Sequence, residues 1–221
     1  MTDRTRRLRW ESLDAVPSIS AERALLVTAF YEDNLGRLST PVLRARAFLH
    51  LCEHKTLYHG DGELIVGERG PEPKAVPTFP ELTCHSVEDL RILDTRPKTR
   101  YSVSDTAIAE YESTVIPFWT GRSLRDRLFE ALPDEWHQAY EAGVFTEFME
   151  QRAPGHTVLD DKIYRKGLMD FKREIAQAIE DLDCLHDAEA YARREQLQAM
   201  DIACDALILF AERHAKLAAD M

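Results

Sequence analysis

The chain has 221 residues, 44% of them hydrophobic and 30% charged, with a formal net charge of −11. That is enough chain to bury a core, and the acidic balance excludes a nucleic-acid surface, which needs a basic face against phosphate. No run of about 18 or more apolar residues occurs, so no membrane span is expected; the basic start, Met1–Arg9, lacks the apolar region of a secretory signal, and cytoplasm is the expected compartment.

Arg4, Arg6, Arg7 and Arg9 make the one basic cluster and read as a solvated or packed N-terminal arm. Ser20 predicts the N-cap of a helix from Ala21 to about Asn34, ended by Gly36, with Leu25, Leu26, Ala29 and Phe30 as its apolar face. Thr40-Pro41 places a cap before a proline at the first helical position. That helix is predicted to run to about Lys55, with Leu43, Ala47, Phe48 and Leu51 inward. Leu64-Ile-Val66, flanked by Gly60, Gly62, Gly67 and Gly70, is too short for a helix and predicts a strand, the glycines marking close backbone approach or special dihedrals. Pro71, Pro73, Pro77 and Pro80 predict extended, irregular chain up to Thr83. Ser86-Val-Glu-Asp89 predicts a capping-box start for a helix to Leu93. Ser104-Asp105 starts another that ends near Pro117, Ser123 a third, and Pro133-Asp134-Glu135 a fourth that stops at Gly143. Two long helices close the chain, from about Gly167 to Leu182 and from about Ala188 to Ala218. With no repeat and no flexible linker, the expectation is one mainly α-helical unit with few short strands.

Four cysteines occur, Cys52, Cys84, Cys184 and Cys204, none in a CxxC pair, and their spacing fits no zinc pattern. They read as reduced and structural, and Cys84 beside His85 as an unreactive neighbour pair, because adjacent side chains point apart. His50/His54 and His137/Glu141 have the i,i+4 spacing a zinc site uses, but neither has the HExxH pattern. Both read as surface pairs and no metal is expected. The glycine-rich segment lacks GxxxxGK[ST] and GxGxxG, which excludes a phosphate loop. Phe118-Trp119 and Trp136/Tyr140 read as core or interface anchors. Leu207, Ile208, Leu209 and Phe210 are consecutive and cannot all face one side of a helix, which predicts exposed apolar surface and self-association.

The richest stretch is Phe145-Thr-Glu-Phe-Met-Glu-Gln-Arg-Ala-Pro-Gly-His156, followed by Asp160, Asp161 and Tyr164. A Pro154-Gly155 turn presents His156 away from regular structure, where an imidazole can trade a proton with a hydroxyl near neutral pH. Arg152 can clamp a carboxylate or sulfonate bidentately, or pair internally with Glu147 or Glu150. Alone, these residues also allow a stand-alone lyase or hydrolase built on His156 with Glu150 or Asp160.

With Gly62-Glu-Leu-Ile-Val-Gly-Glu-Arg-Gly70 and Phe79-Pro-Glu-Leu-Thr-Cys-His85, that stretch resembles the N-terminal part of glycyl radical enzymes, the pyruvate formate-lyase superfamily, along nearly the whole chain. Within it the sequence is similar to the trans-4-hydroxy-L-proline dehydratase branch. The resemblance implies a fold class that is mainly α, the helical N-terminal portion of a β/α barrel, with residues 1–221 all in the pyruvate formate-lyase domain. It implies no cofactor bound by this segment and a radical on a C-terminal glycine, installed by a radical S-adenosylmethionine activating enzyme and passed to a barrel cysteine. Those enzymes are several times longer. This sequence has no Gly-Cys-Val-Glu-like cysteine loop and no Arg-Val-x-Gly-Tyr-like glycine loop, and its four cysteines do not match the family cysteine. It is therefore expected not to carry out the radical reaction by itself.

The resemblance also assigns substrate-binding residues. In that branch a phenylalanine and a histidine eight positions later contact substrate; here they are Phe148 and His156, with Arg152 beside them. Isethionate sulfite-lyases look similar here but have glutamine in place of the histidine, so His156 favours a dehydratase. The implied partners are a hydroxyproline-like small molecule, the activating enzyme and a second copy of the chain, with no nucleic acid and no membrane. The alternatives are a segment of another glycyl radical enzyme, such as an isethionate sulfite-lyase or a formate C-acetyltransferase-like one, and a short non-catalytic binding or assembly protein.

Overall fold

A computed structural model of the chain describes residues 1–145 and 160–221. In chain order the elements are α1 (Asp3–Asp14), β1 (Ser18–Ser20), α2 (Glu22–Asn34), α3 (Thr40–His54), β2 (Ala75–Pro77), α4 (Val87–Thr95), α5 (Asp105–Glu110), α6 (Ile116–Trp119), α7 (Leu124–Ala131), α8 (Asp134–Glu141), α9 (Leu168–Glu180) and α10 (Ala190–Asp220). A π-helical turn, Tyr111–Val115, joins α5 to α6, and Asp160–Tyr164 forms a 3₁₀ turn. The chain divides into two compact units, Met1–Thr28 with Gly60–Gly155 and Ala29–His59 with His156–Met221.

In the first unit, serine caps fix the helix starts. Ser86 and Asp89 exchange both bonds of a capping box, Asp89 N to Ser86 Oγ at 3.1 Å and Ser86 N to Asp89 Oδ2 at 2.9 Å. Ser104 accepts from Ala107 N at 3.1 Å and Ser123 from Asp126 N at 3.0 Å. The helix begun at Ser104, expected to end near Pro117, runs through that proline to Trp119. Proline lacks an N–H and clashes with the turn before it; here the π turn widens the ladder just ahead of it, Ile116 N bonding Tyr111 O, and α6 carries Pro117 in its first turn.

The strand expected at Leu64–Val66 is absent, and the segment is a turn with Leu64 80% and Ile65 90% exposed. A strand needs a partner, and the residues just before this segment, Asp61 and Gly62, are instead tied to α1. Arg7 Nη1 reaches Asp61 Oδ2 at 2.5 Å and Arg7 Nη2 reaches Asp61 O at 2.8 Å, while Arg4 bonds Gly62 O at 3.4 Å. The basic arm is thus a helix capped by Thr2, two of whose arginines hold the turn. The ladder lies elsewhere. β1 and β2 pair in parallel, Ser18 with Ala75, Ile19 with Val76 and Ser20 with Pro77, and Ile19 N also donates to Ser102 O at 2.9 Å. Gly70 is required by close approach, since a Cβ there would lie 2.4 Å from Ala75 O.

The core of this unit is polar in part. Tyr111, Leu90, Val115, Thr28 and Ser123 are fully buried. The Tyr111 hydroxyl donates to Thr78 Oγ1, Trp119 Nε1 donates to Thr28 Oγ1 at 2.8 Å, and Thr28 in turn donates to Ala24 O at 2.7 Å. Arg23 binds Glu81 through both terminal nitrogens, donates to Thr78 O at 3.1 Å, and stacks 4.0 Å from the Phe79 ring centroid.

In the second unit, α10 packs along α3 and α9. Its buried apolar residues include Val42, Leu43, Ala45, Ala47 and Cys52 of α3, Ile175 of α9, and Ala190, Ala199, Cys204 and Ala206 of α10. Ser39, one residue before the predicted cap, flanks α3, but its hydroxyl bonds Glu195 rather than the helix end. Lys172 bridges Asp201 at 2.6 Å and Asp205 at 2.9 Å. Arg213 donates to the carbonyls of Cys52 and Lys55 and so caps the end of α3. In the apolar run on α10, Leu207 is exposed and Ile208, Leu209 and Phe210 are half-buried. Among the described residues no helix is long and apolar enough to cross a membrane.

Leu90→Ala should destabilise the fold by about 2–5 kcal/mol, the range for a truncated buried leucine. A urea transition with an unshifted midpoint would contradict the assignment of Leu90 to the core.

Candidate functional site

The sequence-predicted pocket residues Phe148, Arg152 and His156 lie outside the described residues, which leave out 146–159. The chain on either side is defined. Before it, Phe145 is held by an aromatic cluster on α7 and α8, its ring 5.4 Å from Trp136 and 5.7 Å from Tyr140, and Tyr140 lies 4.9 Å from Phe129. Arg125 stacks on Phe129 at 4.6 Å and bonds the Tyr140 hydroxyl at 3.4 Å. The residues Trp136 and Tyr140 therefore anchor the start of the motif. After it, Asp161 pairs with Arg165 at 2.6 Å, and Tyr164 is 85% exposed.

The cysteines are free. Burial, followed by the nearby carboxylates of Asp126 and Asp89, pushes the Cys84 thiol up to about 11. Its Sγ faces the His85 carbonyl at 3.8 Å. A thiolate–imidazole pair does not arise there, because a nucleophilic cysteine needs its pKa depressed. Burial also raises the thiols of Cys52 and Cys204. In the glycine-rich segment Glu68 accepts from Lys74 N at 3.1 Å, fixing a turn in which Lys74 has φ 58°; its work is structural.

Two histidine groups stand out in the second unit. His59 Nε2 and His214 Nδ1 lie 2.7 Å apart with their rings stacked at 5.0 Å, and Phe210 meets His214 edge-on at 4.5 Å. One shared proton makes that bond; two would oppose cations. Burial, then His59, Lys55 and Arg213, lowers the His214 pKa. His50, Glu53 and His54 are the second group, each offering one donor atom within 4.8 Å of the others. The sequence showed the two histidines only as an i,i+4 pair, read as a surface pair with no metal; Glu53 was not singled out, since a carboxylate among 39 acidic residues carries no signal.

Two clefts of about 470 Å³ each are open to solvent. The first is lined by residues including Leu25, Glu72, Ser104 and Glu110, the second by residues including Arg44, Phe48, Gln196 and Met200. Neither contains a residue predicted from sequence to bind substrate.

The family model described as Pyruvate formate lyase-like matches residues 1–221. The chain belongs to this family. Relatives in it include the trans-4-hydroxy-L-proline dehydratase of Clostridioides difficile, 48% identical over 99% of this chain, and the isethionate sulfite-lyase of Oleidesulfovibrio alaskensis, 33% identical over 93% of it. The solved hydroxyproline dehydratase from Clostridioides difficile, with trans-4-hydroxy-L-proline bound, superposes with a TM-score of 0.90 over 99% of the chain. A glycyl radical enzyme from Archaeoglobus fulgidus, 25% identical, superposes at 0.85 over 99%. The fold is thus mainly α-helical and matches an N-terminal portion of the pyruvate formate lyase-like fold. The chain spans 28% of the length of the hydroxyproline dehydratase and 26% of that of the sulfite-lyase.

Two predictions follow from the titrating groups. At pH 8, iodoacetamide should modify the exposed Cys184 first and leave Cys84, Cys52 and Cys204 behind, as peptide mass mapping over time would read; early labelling of Cys84 would contradict its raised pKa. His214 has a folded pKa below the unfolded value of about 6.5, so the unfolded chain binds the proton more tightly and stability falls as pH drops through that value. The melting temperature should fall between about pH 7 and 5.5, and His214→Gln should flatten that fall; an unchanged slope would count against the pair.

Proposed function

We propose that this chain is the amino-terminal helical portion of a glycyl radical lyase that dehydrates trans-4-hydroxy-L-proline. The observation that carries this reading is the 48% identity, over 99% of the chain, to a dehydratase that has been solved with that substrate bound. The sulfite-lyase relative is more distant at 33% identity, and His156 stands where sulfite-lyases are expected to have glutamine.

In this reading Phe148, Arg152 and His156 form one wall of the pocket. Phe148 packs its ring on the apolar face of the pyrrolidine. Arg152 offers a planar pair of donors to the substrate carboxylate. His156 hydrogen-bonds the 4-hydroxyl and supplies a proton as that oxygen leaves as water. The aromatic cluster holds Phe145, three residues before Phe148.

The residues of this chain do not fit the radical machinery itself. It lacks a Gly-Cys-Val-Glu run, and its own cysteines include two that are buried and one held as a thiol. The reading carries with it a radical S-adenosylmethionine activating enzyme as partner, assembly with a second copy, and a cytoplasmic setting.

The 221-residue chain alone should give no dehydration of hydroxyproline, even with an activating enzyme. In the longer protein that carries this segment, His156→Ala should lose about 10²–10⁴-fold in turnover with circular dichroism unchanged. Normal turnover by that variant would defeat the pocket assignment, and release of sulfite from isethionate would assign the protein to the other branch.

A further inference from the structure

We propose that His50, Glu53 and His54 form a binding site for a divalent transition cation, zinc foremost, on the last turn of α3. Among the described residues this is the one group of three such side chains whose donor atoms converge, each within 4.8 Å of the others. The convergence follows from the helix. Positions three and four residues apart share a face, so His50 has both Glu53 and His54 as neighbours, and the two imidazole rings lie 4.2 Å apart.

The chemistry of each donor suits a metal. His54 Nδ1 lies 2.9 Å from the His50 carbonyl. A carbonyl only accepts, so Nδ1 is the donating nitrogen and Nε2 is the one left for a metal. This is the backbone support that orients metal-binding histidines. The second imidazole is that of His50, on the same face one turn earlier. The Phe30 ring, 5.5 Å away, fixes its plane from the inner side. Glu53 and His54 are exposed, so a cation has open access.

The nearby cations are committed elsewhere. Lys55 Nζ lies over the Phe210 ring at 5.5 Å, and Arg213 holds the carbonyls of Cys52 and Lys55. Tetrahedral zinc with bonds near 2.0–2.2 Å sets its donors about 3.3–3.5 Å apart. Small rotations of the two exposed side chains close the present spacing. Two nitrogens and one carboxylate oxygen are a borderline donor set, and three protein ligands leave a position for water. This proposal uses none of the residues proposed to bind substrate and does not depend on that reading.

The test is isothermal titration of zinc chloride alone into the 221-residue chain near pH 7.5. The expected result is one saturable site per chain. His54→Ala, at an exposed position, should weaken it by at least about tenfold, the lower end of what loss of a supporting group costs a metal site. His50→Ala and Glu53→Gln should also weaken it. Cys184→Ser and His137→Ala should leave it unchanged. Cobalt(II) should give visible bands in the parent chain that His54→Ala loses while its circular dichroism is kept. The proposal is overturned by the absence of saturable heat, by binding that survives His54→Ala, or by binding lost with Cys184→Ser.

Discussion

The first unit rests on the requirement that every polar atom taken out of water find a partner. Its centre buries a tyrosine, two threonines and a serine, with a tryptophan beside them, rather than a purely aliphatic core. Tyr111 answers Thr78, Trp119 answers Thr28, and Thr28 answers a carbonyl of its own helix. Arg23, with Glu81 and the Phe79 face, closes the same region by holding the Thr78 carbonyl. Among the described residues no buried side-chain nitrogen or oxygen lacks a partner. Such a network specifies register as well as stability. Tyr111 opens the π turn and Trp119 follows it, and an uninterrupted α-helix would rotate one relative to the other by about a quarter of a turn.

What was legible in the sequence follows the range of the interaction behind it. Ser86, Ser104 and Ser123 cap helices through bonds to residues three positions on, so their chemistry is complete in a short window. The two strands were not legible, because Ser18–Ser20 and Ala75–Pro77 are defined only by each other. A three-residue segment carries no periodicity of its own. Leu64–Val66 looked more strand-like and formed none, its neighbourhood having been claimed by Arg4 and Arg7. The N-terminal helix was hidden for the opposite reason. It buries no residue, so it shows no apolar stripe.

The site divides in the same way. Phe148, Arg152 and His156 were read from a spacing shared with a family, and they fall among residues 146–159, outside the described chain. The anchors beside them, Trp136 and Tyr140, were visible as aromatics, but only the fold brings them to Phe145. His50 and His54 were visible as a pair; the identity of their third neighbour required side-chain geometry. Family membership and fold class were carried by motifs spread along the sequence, and these are the features that the matches over the whole chain support.

The cap that Arg213 places on α3 has a bearing on synthesis. Its partners, the carbonyls of Cys52 and Lys55, lie 161 and 158 residues earlier in the chain. At about 5–20 residues per second on the ribosome, α3 waits roughly 8–30 s for the group that completes its end. During that interval Val42, Leu43 and Ala47 have no α10 to cover them. The long wait favours a short helix that frays and reforms over one that commits early to a wrong neighbour. A nascent chain of this kind is the sort of client that holding chaperones meet, and its vulnerability is set by the distance along the messenger between two halves of one helix pair.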